Sequence, residues 1–286
     1  MVDHGQGANV EDEGWAEGSG ARIAWKRYGK GEPTVLFIPT WNIVDSRVSH
    51  HQVSHLAPRA TVITYDPRGA GESDRPPSGY GFEQHMDDAL AVLDRTGTER
   101  AIVITASRGI NPAVLLAVRH PDRVSGLVGV APYMDFEPEE DEGFWLEASG
   151  HDGWDMYNAG YWRQDWPGFV RFFMGEVFSE PDSEDTIREL VSIGLEASPE
   201  VLIQQEREQD WTLAPPLLGS VGCPTLLIHG DDDRTTPLAL VEAIDDGIPD
   251  SRLVVLTGSG HRPDIRNPEL VDPPITEFLA RAASFH

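Results

Sequence analysis

The stretch Ala101-Ile102-Val103-Ile104-Thr105-Ala106-Ser107-Arg108-Gly109, continuing as Ile110-Asn111-Pro112-Ala113-Val114-Leu115-Leu116-Ala117-Val118-Arg119-His120, decides how the rest of the chain is read. An apolar run of strand length meets one sharp turn carrying a serine, and a helical pattern follows at once. Thr105 and Gly109, two residues either side of Ser107, are small. Bulk there would collide as the backbone turns tightly to present the serine Oγ. Small-x-Ser-x-Gly is common by chance, so the surroundings must decide its meaning.

Outward from this turn the chain alternates strands and helices. Ala21 to Tyr28 predicts an edge strand, and Gly29-Lys30-Gly31-Glu32-Pro33 a turn. Thr34 to Ile38 is a buried strand ended by Pro39-Thr40-Trp41-Asn42, and Asp45 to Leu56 carries a weak helical pattern with His50, His51 and His55. With no carboxylate or cysteine completing a ligand spacing, these three histidines read as a solvated face rather than a metal site. Ala60 to Tyr65 is a further strand, running into Asp66-Pro67-Arg68-Gly69-Ala70-Gly71-Glu72-Ser73-Asp74-Arg75-Pro76. No third glycine sits three residues beyond Gly71 and no helix opens there, so a dinucleotide-binding loop is excluded. Phe82, Met86, Ala89, Leu90 and Leu93 fall at helical spacing, and Val124 to Ala131 is the strand after the serine helix. This alternation predicts an α/β fold, a mainly parallel central sheet with helices on both faces, whose ligand site lies at the carboxyl ends of the strands.

The pattern changes between residues 133 and 216. An acidic run, Glu137-Pro138-Glu139-Glu140-Asp141-Glu142, leads into a segment holding five of the eight tryptophans. We read it as a helical, aromatic-rich cap over the sheet's ligand edge. Most of its rings should form the cap's own core, with a few facing the cleft. Thr40, Trp145, Trp154, Trp162, Trp166 and Phe173 are the candidate pocket residues. The alternation resumes with the strand Thr225 to His229, the turn Gly230-Asp231-Asp232-Asp233-Arg234-Thr235-Thr236-Pro237, a helix from Leu238 to about Ile248, the strand Ser251 to Leu256 and a terminal helix from Pro268 to about Ala283. Residues 21–132 and 217–286 therefore form the core. Residues 1–20, polar and glycine-rich, predict a loosely ordered leader with Trp15 as its one anchor.

Composition bounds the partners. With 48 acidic against 22 basic residues the formal charge is −26, which repels phosphate backbones and anionic headgroups and argues against nucleic acid and membrane surfaces. No segment approaches ~18 consecutive apolar residues and no signal pattern opens the chain, so a cytoplasmic protein, monomer or homodimer, is expected. The single cysteine, Cys223, excludes an internal disulfide framework, and neither a metal nor a cofactor is called for.

The chemistry assembles in chain order. Ser107, an aspartate after the Thr225 strand, and His261 in Thr257-Gly258-Ser259-Gly260-His261-Arg262-Pro263 each follow a buried strand on the same sheet edge. A serine hydroxyl needs a histidine to take its proton, and a carboxylate to fix that histidine's tautomer. Asp233 is the candidate acid, Asp231 and Asp232 being solvated, and Asp135 after the Val124 strand is the alternative. Backbone N–H groups of Arg108, at the start of the serine helix, and of Trp41, with Thr40 next, would face a developing oxyanion. The Arg108 side chain either holds an acidic substrate group or, in so acidic a chain, pairs with a local carboxylate.

Thr105-Ala106-Ser107-Arg108-Gly109, the Asp66-to-Ser73 loop, Gly230-Asp231-Asp232-Asp233 and Gly260-His261 together resemble the α/β-hydrolase family with a cap, serine-nucleophile branch, over nearly the whole chain from about Ala21. The resemblance implies a serine-dependent hydrolase of a carboxylic ester, lactone or thioester with an apolar portion, working through an acyl-enzyme. It equally spans a triad-bearing receptor or slow binding module, and a non-hydrolytic acyltransferase or lyase. Two positions depart from the family pattern: Pro39-Thr40 stands where His-Gly is usual, and Thr105 replaces the turn's first glycine. The Pro39-Thr40-Trp41 form is also similar to hydrolase-like domains found beside signalling modules.

Overall fold

The computed structural model describes residues 8–138, 142–145 and 150–282. Among these, eight strands form one sheet in the order β1-β2-β4-β3-β5-β6-β7-β8. They are β1 (Val10–Glu17), β2 (Arg22–Tyr28), β3 (Thr34–Ile38), β4 (Thr61–Tyr65), β5 (Ala101–Ala106), β6 (Val124–Val130), β7 (Thr225–Gly230) and β8 (Ser251–Leu256). From β4 onward in that order every neighbouring pair is parallel, while β2 runs antiparallel to both β1 and β4.

Both faces are covered, which is why the central strands read as unbroken apolar runs. Successive residues of a strand point to opposite faces. In β5, Ala101 and Val103 meet one core with α2 (Phe82–Arg95), α3 (Ile110–Arg119) and α9 (Leu238–Gly247). Ile102 and Ile104 meet another with α1 (His50–Leu56) and α11 (Pro268–Ala282).

Between β6 and β7 lie α4 (Glu142–Trp145), α5 (Ala159–Gln164), α6 (Trp166–Val177), α7 (Glu184–Gly194) and α8 (Pro199–Glu208), and α10 (Pro263–Arg266) follows β8. The inserted helices have their own core of Phe144, Trp162, Trp166, Phe169, Val170 and Leu202. Trp41, just beyond β3, is buried in that same cluster and ties the insertion to the sheet edge.

The amino-terminal segment differs from the sequence expectation. Val10–Glu17 is a strand paired along its length with β2, so β2 is not an edge strand. Ala16 is fully buried while Trp15 is 52% exposed, so the anchor is the alanine. Four carboxylates hid this strand from a hydrophobicity reading. Backbone pairing holds it, with ion pairs from Arg27 to Asp12 (2.5 Å) and Lys30 to Glu11 (2.7 Å) adding a little at the surface.

The histidines of α1 also differ. Asp272 of α11 lies 2.9 Å from His51 Nε2 and 3.3 Å from His55 Nδ1, and His55 Nε2 contacts the Thr276 hydroxyl. His51 and His55 thus join two helices, while His50 is exposed, its Nδ1 against the Arg47 carbonyl. Among the described residues no group of three or more His, Cys, Asp or Glu side chains has the arrangement of a metal site.

Candidate active site

Ser107 sits where β5 ends and α3 begins, with φ at +51°. A non-glycine residue there is strained by roughly 1–2 kcal/mol, and such strain persists only where the surroundings enforce it. They do so here. The N–H of Tyr133, beyond β6, donates to the Ser107 carbonyl at 3.1 Å. The Asn111 amide donates to the carbonyls of Arg108 (2.9 Å) and Tyr133 (3.0 Å). A Cβ on Gly109 would come within 2.2 Å of Thr105 Oγ1 and 2.6 Å of the Pro39 carbonyl oxygen, so no side chain fits. Thr105, the departure at the turn, is accommodated by extended backbone and donates its hydroxyl to the Ile38 carbonyl at 3.0 Å.

The other two strand-end loops meet through a second obligatory glycine. A Cβ on Gly230 would lie 2.1 Å from the Ser259 carbonyl oxygen, and this closeness brings the loop after β7 against the loop after β8. Asp233 Oδ2 contacts His261 Nδ1 at 2.7 Å, with both side chains buried. Asp233 Oδ1 accepts from the N–H groups of Thr235 (2.8 Å) and Thr236 (2.9 Å) and from the Thr235 hydroxyl. Burial opposes the Asp233 charge, but His261 and those two N–H groups outweigh it and hold the carboxyl below its usual range. Asp233 is thus the ionised partner of His261, and an Nδ1–H donated to it leaves Nε2 as the acceptor. Asp231 and Asp232 are exposed. Asp135 lines the neighbouring cavity but accepts from the Glu137 N–H instead of touching His261.

His229, which sequence reasoning did not single out, lies beneath this pair. Its ring is fully buried, 3.7 Å from Asp233 Oδ2, with neither nitrogen hydrogen-bonded. Burial lowers its pKa, so it is neutral at pH 7 and does not compete for the aspartate charge. The insertion also supports the histidine loop: Val177, at the end of α6, accepts from the His261 N–H (3.0 Å) and Glu180 from the Gly260 N–H (2.7 Å).

Ser107 and His261 line one cavity of about 480 Å³ between the strand ends and the insertion. Thr40, Trp41 and Arg108 line it as well, as do Trp154 and Phe173. Three other candidate pocket residues do not. Trp162 is wholly buried in the insertion's core; Trp166 is buried there too, its indole N–H donating to the Gly194 carbonyl; Trp145 is exposed beneath the Arg207 guanidinium. Tyr157, Trp211 and Tyr133 take their place on the cavity wall. Nothing in the sequence distinguishes these rings from their neighbours, because the facing of short helices is set by packing across the insertion.

Arg108 is mostly buried and forms an ion pair with Glu206 of α8 at 2.6 Å. It also donates to Gln209 (3.0 Å) and the Tyr157 hydroxyl (3.1 Å), and its guanidinium lies 4.7 Å from the Trp41 ring centre and 5.2 Å from that of Trp211. Burial opposes this charge, yet Glu206 and Tyr157 more than compensate and the arginine stays protonated.

The model of the α/β-hydrolase fold matches residues 33–263. The chain belongs to the α/β-hydrolase fold family. Among curated α/β-hydrolase relatives it is 28% identical to the AB hydrolase superfamily protein YisY of Bacillus subtilis, over 87% of this chain and 92% of that protein. It is 26% identical to 2-(acetamidomethylene)succinate hydrolase of Mesorhizobium japonicum, over 82% and 84%. Among solved structures, a thermophilic esterase from Thermogutta terrifontis superposes with TM-score 0.80 at 24% identity, covering 95% of this chain and 99% of the other. The enol-lactonase of Burkholderia xenovorans gives 0.79 at 22% identity, covering 93% and 100%. These two show the shared fold. The residues of this α/β hydrolase that join the sheet edge to its helical insertion are those described above, and no helix among the described residues is long and apolar enough to cross a membrane.

Proposed function

We propose that this α/β hydrolase cleaves a carboxylic ester, lactone or thioester with an apolar portion through a Ser107-His261-Asp233 triad, the inserted helices serving as a cap. The observation that supports this reading most is the buried 2.7 Å contact of His261 with Asp233 on the wall of the cavity that Ser107 also lines. Ser107 Oγ attacks the acyl carbon as its proton passes to His261 Nε2, and Asp233 stabilises the imidazolium. The N–H of Arg108, in the first turn after the strand and without an intrahelical partner, and the N–H of Trp41 hold the oxyanion. His261 then gives its proton to the departing alcohol or thiol. Water, activated by the same histidine, releases the acid from Ser107.

A fluorophosphonate probe tests this directly. Covalent labelling of the wild type that vanishes in Ser107→Ala is expected. Equal labelling of both, or none of either, would sink the triad reading and leave a binding module. Asp233→Asn should lower kcat by about 10⁴-fold, as expected when the histidine tautomer is lost, whereas Asp135→Asn should leave kcat within a few fold.

A further inference from the structure

The cavity holds two arginines, and each is already paired with a carboxylate. Arg262 makes two hydrogen bonds to Asp264, at 2.7 and 2.8 Å. Arg108 is closed by Glu206, and it also donates to the Tyr157 hydroxyl and to Gln209. Asp135 adds a carboxylate to the same wall, and among the described residues it forms no ion pair within 4 Å. The remaining surface is largely aromatic and aliphatic, from Trp41, Trp154, Phe173, Met174 and Leu190.

From this charge arrangement, and resting on the hydrolase reading above, we infer that the site takes substrates whose acyl portion is uncharged and rejects those bearing a carboxylate, and that Glu206 is the residue that sets this rule. A carboxylate entering such a cavity gives up its hydration without gaining a free cation, the costly way to bury a charge. Glu206 matters because Arg108 is built for anion recognition in every other respect. It flanks Ser107, is held between two rings, and has two of its five N–H groups without a partner among the described residues. Only the neutralising carboxylate prevents a planar, bidentate anion site next to the proposed nucleophile. An uncharged acyl chain, by contrast, meets paired charges and apolar walls and loses little on entry.

The test uses esters matched in length, p-nitrophenyl hexanoate and the mono-p-nitrophenyl ester of adipic acid, at equal ionic strength. Wild type should show kcat/KM about 100-fold higher for the neutral ester, chiefly through KM. Glu206→Gln, nearly isosteric, should narrow that ratio by about tenfold or more. The double variant Arg108→Gln with Glu206→Gln should restore it, and it serves as the second chassis if the lone charge in Glu206→Gln compromises folding. Wild-type ratios within threefold, or an unchanged ratio in Glu206→Gln with both proteins folded, would overturn the inference. Binding separates this failure from failure of the hydrolase reading. The corresponding p-nitroanilides, titrated into Ser107→Ala by quenching of tryptophan fluorescence, should keep the preference for the neutral chain whether or not the wild type turns over esters. Absence of turnover with that preference intact counts against hydrolysis alone, and equal affinities count against the charge rule.

Discussion

Two buried arginines in this molecule make the same kind of bond for different ends. Arg68, after β4, donates to both oxygens of Asp88 on α2 at 2.7 Å, and also to the carbonyls of Gly79 (2.6 Å) and Ser19 (3.1 Å). Both partners are essentially without solvent, at 1% and 0% exposure. Arg108 and Glu206 are each 11% exposed and border a cavity. The first pair knits the β1–β2 turn, two loops and a helix into one unit and keeps little donor capacity in reserve. The second leaves donors unused beside a space that can receive a ligand. A saturated ion pair is architecture, and an incompletely saturated one at a cavity is a means of selection.

The comparison can be broken by removing the partners. Asp88→Ala strands a dry guanidinium and should cost about 3–5 kcal/mol of stability, a fall in melting temperature on the order of 10 °C; a loss below about 1 kcal/mol would end the distinction. Next in size, Arg68→Lys, which cannot reproduce the two-pronged geometry, should cost roughly 2 kcal/mol in urea unfolding. Arg108→Lys should cost half that or less.

Acid sharpens the contrast from another side. His85, on α2 beside the Arg68 pair, is driven down to a pKa of about 3 by burial, with the Arg68 charge adding to it. An unfolded histidine binds its proton near pH 6.5 and the folded one does not, so stability falls as pH drops below about 6.5. The difference in unfolding free energy between wild type and His85→Leu should therefore shrink by about 1.4 kcal/mol per pH unit on the acid side. A constant difference between pH 7.5 and 5 would contradict the burial argument. An effect as small as that of Arg108→Lys is expected for Glu206→Ala, about 1 kcal/mol, because water in the cavity can solvate Arg108 in place of the carboxylate.

Much of the sheet was legible because strands buried on both faces must be apolar throughout: Thr34–Ile38 has the bounds read from the sequence, and so does Ser251–Leu256, an edge strand whose Leu253-Val254-Val255-Leu256 run still marked it. The approach of Asp233 to His261 was legible for a related reason, since each follows a strand whose order in the sheet is fixed by the alternation. Val10–Glu17 was not. A hairpin strand held by backbone pairing needs only one inward residue, Ala16, and its four carboxylates look like a leader. The partners of long-range polar contacts were equally hidden. Glu206 lies 98 residues from Arg108, and Asp272 lies 221 from His51. Charge composition predicted that Arg108 would find a carboxylate but could not say which. Trp154 and Phe173 were named as pocket residues, but Tyr157 and Trp211 eluded the sequence because the insertion is aromatic on several sides, so Trp162 and Phe173 look alike until packed.

The contact of Thr105 with Ile38, and the closeness of Gly109 to Thr105 and Pro39, have a mechanical consequence. They weld the turn bearing Ser107 to the end of β3, the segment that carries Trp41. The proposed nucleophile and the proposed oxyanion donor therefore ride on one body. The insertion is braced against this body at two points, because Trp41 packs within its aromatic core and Arg108 pairs with Glu206. His261 is braced there as well, its N–H donating to the Val177 carbonyl of the insertion. The three strand-end loops and the roof are thus coupled, so a change in the insertion's packing reaches the proposed oxyanion donor, nucleophile turn and histidine alike.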